Sequence, residues 1–496
     1  MTMDGNDAAR LARIAEQAMR ERGFLAHPTP EAIAEAAGAR EPDGQLDGVR
    51  DLRALPWTSI DNPESQDLDQ IEAAEAADGG TRLYVGIADV DHFVRAGSAI
   101  DRAAGTNTTS VYTGVRTFPM LPERLSFDLS SLLQARRRPA LVIETLIAAD
   151  GSIVAKESKM YPALVENRAK LDYPSVSAWL DGHAPAPAPL ANEPTLRAQV
   201  ELHDRVSRVL GEARRRDGAL DLDTGEVRPT VDERGRVTGL QAHHQDRAGR
   251  IIEELMIASN RAVAHALDGA GLPSIRRVVK EPERWARIVA YASDRGVKLP
   301  ASPNPRAMAG FVDQMRRTHA AQFSEISLAL VKMMGRGEYV AHAPHAPEIG
   351  HFGLATDEYT HATAPNRRYP DLITQRLLKS LAGKRAPYSF ERLQEIAAHC
   401  TRMEAEAQKV ERRVHKSAAA ALLESRRGEV FDGVVTGASD KGTFVRVLEP
   451  PVEGKVVRGG RGLEVGDAVR VKLLDVSVEK GFIDFEALGQ RGRASS

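Results

Sequence analysis

The sequence predicts a multidomain α+β chain: an N-terminal helical module, a central mixed α/β domain and a small closed C-terminal β-barrel. Three observations carry that expectation. At 496 residues the chain exceeds the size at which one hydrophobic core keeps growing. Its periodicity turns from helical to strand-like near residue 50, and near residue 428 it turns again into closely spaced strand runs. A hydrophobic share of 42% with 27% charged residues is ordinary for a folded chain and excludes whole-chain disorder.

Residues 7 to 22 place Ala, Leu, Ile and Met at helical spacing and stop at Gly23. Thr29-Pro30-Glu31 then reads as the N-cap, first-turn Pro and acidic first turn of a second helix, so residues 1–50 are expected to form a helix-turn-helix or winged-helix-like module. Strand-like runs at Arg82 to Ala88 and Ala140 to Glu144 belong to a mixed domain expected over 51–426. Asp181 to Pro194 alternates Ala and Pro and reads as an exposed excursion within it. Helical spacing returns at Arg250 to Leu267, Pro370 to Leu381 and Leu393 to Ser425. Runs starting at Val430, Gly442, Val469 and Gly481 pack short strands into the expected barrel, 427–488, with 489–496 as a flexible tail.

The polar, acid-containing start lacks the pattern of a signal or transit peptide, and no apolar run has membrane-spanning length. Cys400 is the single cysteine, which leaves no intrachain disulfide and no Cys-rich zinc site; the cytoplasm is the expected location. A net charge of −2 argues against a globally basic nucleic-acid binder, so any such site must be a local groove.

The most informative stretch runs from Ser59 to Gln70 and crowds Asp61, Glu64, Asp67 and Asp69 into one loop beside a predicted strand. Carboxylates so close repel unless a cation neutralises them, and oxygen donors without His or Cys suit Mg²⁺ or Mn²⁺. Two such ions can stabilise the attacking and leaving oxygens of a phosphodiester. An acidic surface loop that merely caps the following strand accounts for the same spacing. A calcium loop fits poorly, because Pro63 interrupts the run and no mid-loop Gly is present.

The Ser59-Ile60-Asp61 run with Asp67 and Asp69, followed by Val85-Gly86-Ile87-Ala88-Asp89, resembles the signature of the RNB family of exoribonucleases (the ribonuclease II and ribonuclease R family). Pro119-Met120-Leu121-Pro122 resembles the family's proline-leucine-proline segment, and Ile252-Glu253-Glu254-Leu255 its double-glutamate helix. His351-Phe352-Gly353-Leu354 with Thr363 to Tyr369 and Asp371 resembles its arginine motif, and the last strands resemble its S1-type OB-fold barrel. The matches keep their order over roughly residues 55 to 425.

The resemblance implies a Mg²⁺- or Mn²⁺-dependent hydrolase, working by a two-metal mechanism, that shortens single-stranded RNA from the 3′ end to 5′ mononucleotides. By similarity Asp61, Asp67, Asp69 and Gln70 would hold metal, and Arg367 would clamp the scissile phosphate. RNA contacts would come from Tyr112 stacked on the terminal base, from Tyr173, Glu253 and Arg368, and from Leu222. An ion pair between Arg367 and Asp371 at i+4 competes with the phosphate role, and a half-buried structural Tyr competes with each stacking role.

Several positions depart from the family. Gln70 stands where a fourth Asp is usual, with Asp89 as a substitute ligand or a turn residue; Leu222 stands where an aromatic is usual; Ala364, Asn366 and Gln375 alter the arginine motif. Helices precede the catalytic domain where cold-shock barrels are frequent. Gln70 and Leu222 motivate one alternative, a catalytically decayed RNA-binding protein of the same fold; another, a metal-dependent DNA exonuclease, would leave Glu253 without a role.

Arg136-Arg137-Arg138 and Arg214-Arg215-Arg216 could each line an RNA channel or a solvated face. In the barrel, where acids and bases balance, Phe431 and Phe444 would assist only if they face outward. His342, His345, His351 and His361 form a loose cluster whose spacing fits no standard zinc pattern. No Walker-type glycine loop, obligate protein partner or membrane association is indicated.

Overall fold

In the computed structural model the described residues are 7–42, 48–223, 226–231, 237–243, 245–381, 386–439, 442–464 and 467–490. The tail expected at 489–496 lies outside them from residue 491 onward. The central domain is built on a seven-stranded sheet of β1 (Arg50–Asp51), β2 (Thr58–Asp61), β3 (Gln70–Ala77), β4 (Gly80–Ala88), β7 (Arg137–Ala148), β8 (Lys159–Glu166) and β9 (Ala169–Asp172). A small hairpin, β5 (Val111–Tyr112) with β6 (Thr117–Phe118), stands apart.

The spatial order is β1-β8-β7-β4-β3-β2-β9, antiparallel throughout except for the outermost pairs β1/β8 and β2/β9. Asp78-Gly79 makes the two-residue turn between β3 and β4, and Gly79 takes the φ of +86° that such a turn requires. Because β2 and β3 run antiparallel, the end of β2 and the start of β3 meet at one sheet edge. Asp61 and Gln70 therefore arrive together, and Asp172, the partner of Asp61 in β9, joins them.

Both faces of the sheet are covered, so its strands are apolar on both sides. Ile60 packs with Leu171, Val176, Val200, Ala248 and Ile252 beneath the helices Pro194–Asp217 and Arg247–Gly269. Trp57, Ile71, Val85 and Ile143 join the larger core, which extends to Leu372 and Ile373 of the helix Tyr369–Lys379. The Ala/Pro-rich excursion is mostly exposed as expected, but Leu190 within it is buried in the Ile60 cluster and anchors it. Two ribbons complete the strands of this region: β10 (Glu226–Val231) with β11 (Val237–His243), and β12 (Ser274–Val278) with β13 (Glu338–His342).

The helical N-terminal module is present, and the Thr29 hydroxyl caps its second helix by accepting the Ala32 N–H at 3.2 Å. Its two helices contribute to different cores. Ala15, Ala18 and Met19 of Asp7–Glu21 pack on Met403, Ala407, Val410 and Val414 of the long helix Phe390–Leu423, whereas Ala32 and Ala36 of Pro30–Gly38 join the sheet core. Arg10 adds ion pairs to Glu424 at 2.9 Å and Glu479 at 2.6 Å, linking the first helix to the barrel.

That barrel closes in the order β14 (Val430–Ser439), β15 (Gly442–Val447), β16 (Glu453–Arg458), β18 (Phe482–Gln490), β17 (Ala468–Ser477). Phe431 is buried in its interior, edge-on to Phe485 at 6.4 Å, so it faces inward and is not a stacking surface; Phe444 is half-buried. Among the described residues no helix is long and apolar enough to cross a membrane.

Candidate active site

The loop between β2 and β3 is held from beneath by groups with no charge pattern to announce them. The Ser131 hydroxyl donates to the Gln66 carbonyl at 2.6 Å and accepts the Leu68 N–H at 2.9 Å, and the Lys170 ammonium donates to the carbonyls of Pro63 and Ser65. So fixed, the loop returns Asp67 and Asp69 towards Asp61. The Asp61 carboxylate accepts the Asn62 N–H and the Ser65 hydroxyl, each at 2.7 Å.

Asp69 is 1% exposed and sits against the arginine motif. It accepts the Asn366 N–H at 2.9 Å and Arg367 Nε at 3.0 Å. Arg367 is held in place through its carbonyl, which accepts the Ser110 N–H, and the neighbouring Thr109 pairs with Arg368 in an isolated bridge. The same strand segment carries Tyr112, whose phenol donates to Asp67 at 2.6 Å while 38% of the residue stays exposed. Hydrogen bonds thus pair Asp69 with Arg367 and Asp67 with Tyr112, and Asp61 lies within reach of the Arg367 and Asp67 charges.

Its electrostatics are those of a crowded acidic site. Burial, with the nearby Asp67 charge, pushes the Asp69 carboxyl up to about 7 although Arg367 pulls the other way. Burial likewise raises Asp61. Tyr173, directly after Asp172 in β9, belongs to this neighbourhood: burial, then the charges of Asp61 and Glu72, raise its phenol. Gln70 is buried at the start of β3 beside Asp69.

Glu72 is a member that reading the sequence missed. It is fully buried on β3 opposite Thr58, neither of its oxygens has a hydrogen-bond partner, and burial together with Asp61 holds its carboxyl well above the usual range. The available signal was an acidic residue inside a run buried on both faces.

Asp371 does not compete for Arg367. It accepts Arg368 Nη2 at 2.7 Å and the Ala364 N–H at 2.9 Å, so the structural ion pair belongs to Arg368 and Arg367 is left to Asp69. Asp89 is a helix cap and not a substitute ligand: it accepts the His92 N–H and pairs with Lys379 at 2.5 Å. Gln375 ties the Ala88 carbonyl to the Asp91 N–H, which joins β4 to the helix behind the arginine motif.

Glu253 lies on the Arg247–Gly269 helix, hydrogen-bonded to Gln245 and raised by burial, while its neighbour Glu254 is locked to Arg214 by two bonds of 2.7 and 2.6 Å. Leu222 is half-buried against the cluster of Trp285, Phe311 and Phe352. Neither is drawn into the group around Asp69 by a hydrogen bond or ion pair. One member of each basic triplet is structural, Arg138 buried against Glu41, Asp128 and the Ser131 carbonyl and Arg214 serving Glu254, while Arg136, Arg137, Arg215 and Arg216 are exposed.

Hard oxygen donors of this kind suit a divalent cation, whose charge would offset the burial that raises Asp61 and Asp69. The RNB domain profile matches residues 49–384, and the profile of the RNase II-type exonuclease C-terminal S1 domain matches residues 429–488. Ribonuclease R of Thermotoga maritima is 31% identical over 485 residues; the alignment covers 91% of this chain, which spans 66% of that relative's length. Among solved structures, Mycoplasma genitalium RNase R in complex with ribose methylated single-stranded RNA matches with a TM-score of 0.85 at 23% identity, covering 96% of this chain and 77% of the other. The yeast pseudonuclease Ssd1 matches with a TM-score of 0.71 at 17% identity, covering 93% of this chain and 58% of its own.

Proposed function

This chain belongs to the RNB family, and on that footing we propose that it is a metal-dependent exoribonuclease that shortens single-stranded RNA from its 3′ end and releases 5′ mononucleotides. The observation that carries the reading is the convergence of Asp61, Asp67 and Asp69 with Arg367 on one sheet edge. The fold alone does not decide it, since a pseudonuclease shares the architecture.

Asp61, Asp67 and Asp69, with the Gln70 carbonyl oxygen, would hold the Mg²⁺ or Mn²⁺. The bound ions would supply a polarised water and counter the charge on the leaving oxygen. Arg367, half-exposed and anchored on Asp69, presents the rest of its guanidinium to a phosphate and stabilises charge that develops there. Tyr112 offers a ring face to the terminal base while its hydroxyl steadies Asp67. Tyr173, next to Asp172 of β9 and within reach of the Asp61 charge, would contact the RNA near the site, and Glu253 would meet a ribose 2′-hydroxyl. The single cysteine, Cys400, is buried and free, as suits work in the cytoplasm.

Gln70 is the observation favouring the second reading, a binding protein that has lost its nuclease, because one negative ligand is missing. The deciding experiment incubates the chain and its Asp69→Asn variant with 5′-labelled RNA and DNA oligomers of one sequence, with and without Mg²⁺ or Mn²⁺. Metal-dependent shortening of RNA from the 3′ end by the unaltered chain alone is the expected result. Binding without cutting under every metal condition selects the decayed enzyme, and equal cutting of DNA selects a DNA exonuclease.

A further inference from the structure

The loose histidine cluster seen in the sequence divides in two. His351 and His361 stack edge-on with Tyr359, and His361 also stacks on Tyr339, with Nδ1 of His361 at 2.8 Å from the Tyr339 hydroxyl. His342 and His345 turn instead towards two carboxylates. One of these, Asp268, lies at the C-terminal end of the Arg247–Gly269 helix. Tyr173 feels Asp246 at the other end, so about 30 Å of helix separates this group from the Asp61 neighbourhood.

His342 closes β13, where its side chain is 4% exposed, and its Nε2 has no hydrogen-bond partner. That nitrogen lies 3.3 Å from Glu348 Oε1, and the second oxygen, Oε2, is also buried without a partner. Asp268, His342 and Glu348 each offer one donor atom, and these three atoms lie within 4.8 Å of one another. A separation of about 3.3 Å is the edge of a tetrahedron around an ion with bonds of about 2.0–2.1 Å.

The surroundings are those of supported ligands. Arg276, itself buried, places Nη2 at 3.3 Å from Glu348 Oε1 and orients that carboxylate. The His345 N–H donates to Asp268 Oδ1 at 3.2 Å, and His345 Nδ1 stands 4.0 Å from Oδ2. His345 adopts φ +60°, a left-handed conformation that costs a non-glycine residue about 1 kcal/mol and here sets its ring beside Asp268. Burial, then Arg276, lowers the His342 imidazole, which leaves it a neutral donor at neutral pH.

We propose that Asp268, His342 and Glu348 form a binding site for a zinc-class divalent ion, with His345 placed to close it as a fourth ligand. Imidazole with carboxylate oxygens favours zinc over Mg²⁺, in contrast with the all-oxygen group around Asp69. The ion pins the loop 343–350, which leads from β13 towards the arginine motif, to the end of the helix that carries Glu253.

The full chain, stripped with a chelator and dialysed against trace zinc in excess Mg²⁺, is assayed by elemental analysis beside His342→Gln, Glu348→Gln and an Asp61→Asn/Asp69→Asn double variant. One zinc per chain is expected in the unaltered protein and in the double variant, and its loss from the two ligand variants. Co²⁺ is expected to give visible d–d bands with the same pattern, and zinc to raise Tm by a few degrees only where the site is intact. His345→Ala is expected to weaken binding about tenfold. Retention of no zinc by the unaltered protein overturns the proposal, as does zinc retained by His342→Gln and Glu348→Gln alike or lost from the double variant.

Discussion

Asp69→Asn is expected to make the metal-free protein more stable while removing its response to Mg²⁺. Burial pushes the folded carboxyl up to about 7, against about 3.8 outside the fold. For an acid raised by folding, the penalty is absent below the unfolded value, grows across the interval between the two and is complete above the folded one. At about pH 8 it amounts to roughly 4 kcal/mol, some three pH units at about 1.4 kcal/mol each. The amide keeps an oxygen for the Asn366 N–H, and the attraction of Arg367 is already contained in a carboxyl that titrates at about 7. The gain is about 4 kcal/mol, or about 4 °C in Tm for a chain of this length. Calorimetry in chelator at about pH 8 and about pH 5 tests this, because at the lower pH the gain falls below about 2 kcal/mol. A variant less stable than the parent at the higher pH, or one that Mg²⁺ stabilises equally, would refute the reasoning.

The same titration governs metal use: below about pH 7 a proton on Asp69 competes with Mg²⁺, so cleavage at limiting Mg²⁺ is expected to fall as pH drops from about 8 to 6, by up to tenfold per unit, and saturating Mg²⁺ to flatten the profile. A profile identical at both metal levels contradicts it. Tyr112→Phe keeps the ring and loses the bond to Asp67, so single-turnover cleavage is expected to fall only a few-fold, whereas Tyr112→Ala is expected to raise KM about tenfold or more by removing the stacking face. Equal losses in both would place the effect in the hydroxyl alone. Glu72→Leu removes a buried carboxyl with two unpartnered oxygens, and urea titration is expected to show a gain of about 1–3 kcal/mol. A loss there would mean that bound water satisfies the carboxyl.

The acidic loop stood out because its members are neighbours in sequence, although spacing alone fitted a surface loop as well as a metal site. The barrel was legible from the spacing of its strand runs, and the second N-terminal helix from Thr29-Pro30-Glu31. What holds the loop was not. Ser131 and Lys170 act on backbone carbonyls, and neither residue type carries a signal for that in one dimension. The expected pairing of Arg367 with Asp371 assumed helical spacing, but the helix begins only at Tyr369, and the extended Arg368 before it takes Asp371 instead. Arg138 and Arg214 read as basic patches because their acidic partners, Glu41 with Asp128 and Glu254, come from elsewhere in the chain.

The anchoring of the Asp7–Glu21 helix bears on how the chain is made. Its apolar face is received by Met403 to Val414, and Arg10 finds Glu479 only 469 positions later. A ribosome adding about 5–20 residues per second needs roughly 25–100 s to cover that distance. Within that interval the helix acquires its partners in stages, first Val111, Arg116 and Phe118, then Met403 to Val414, and the barrel's Glu479 last. The closing of the first helix on the last domain is then a late event in biogenesis, one that only a chain translated as far as the barrel can complete.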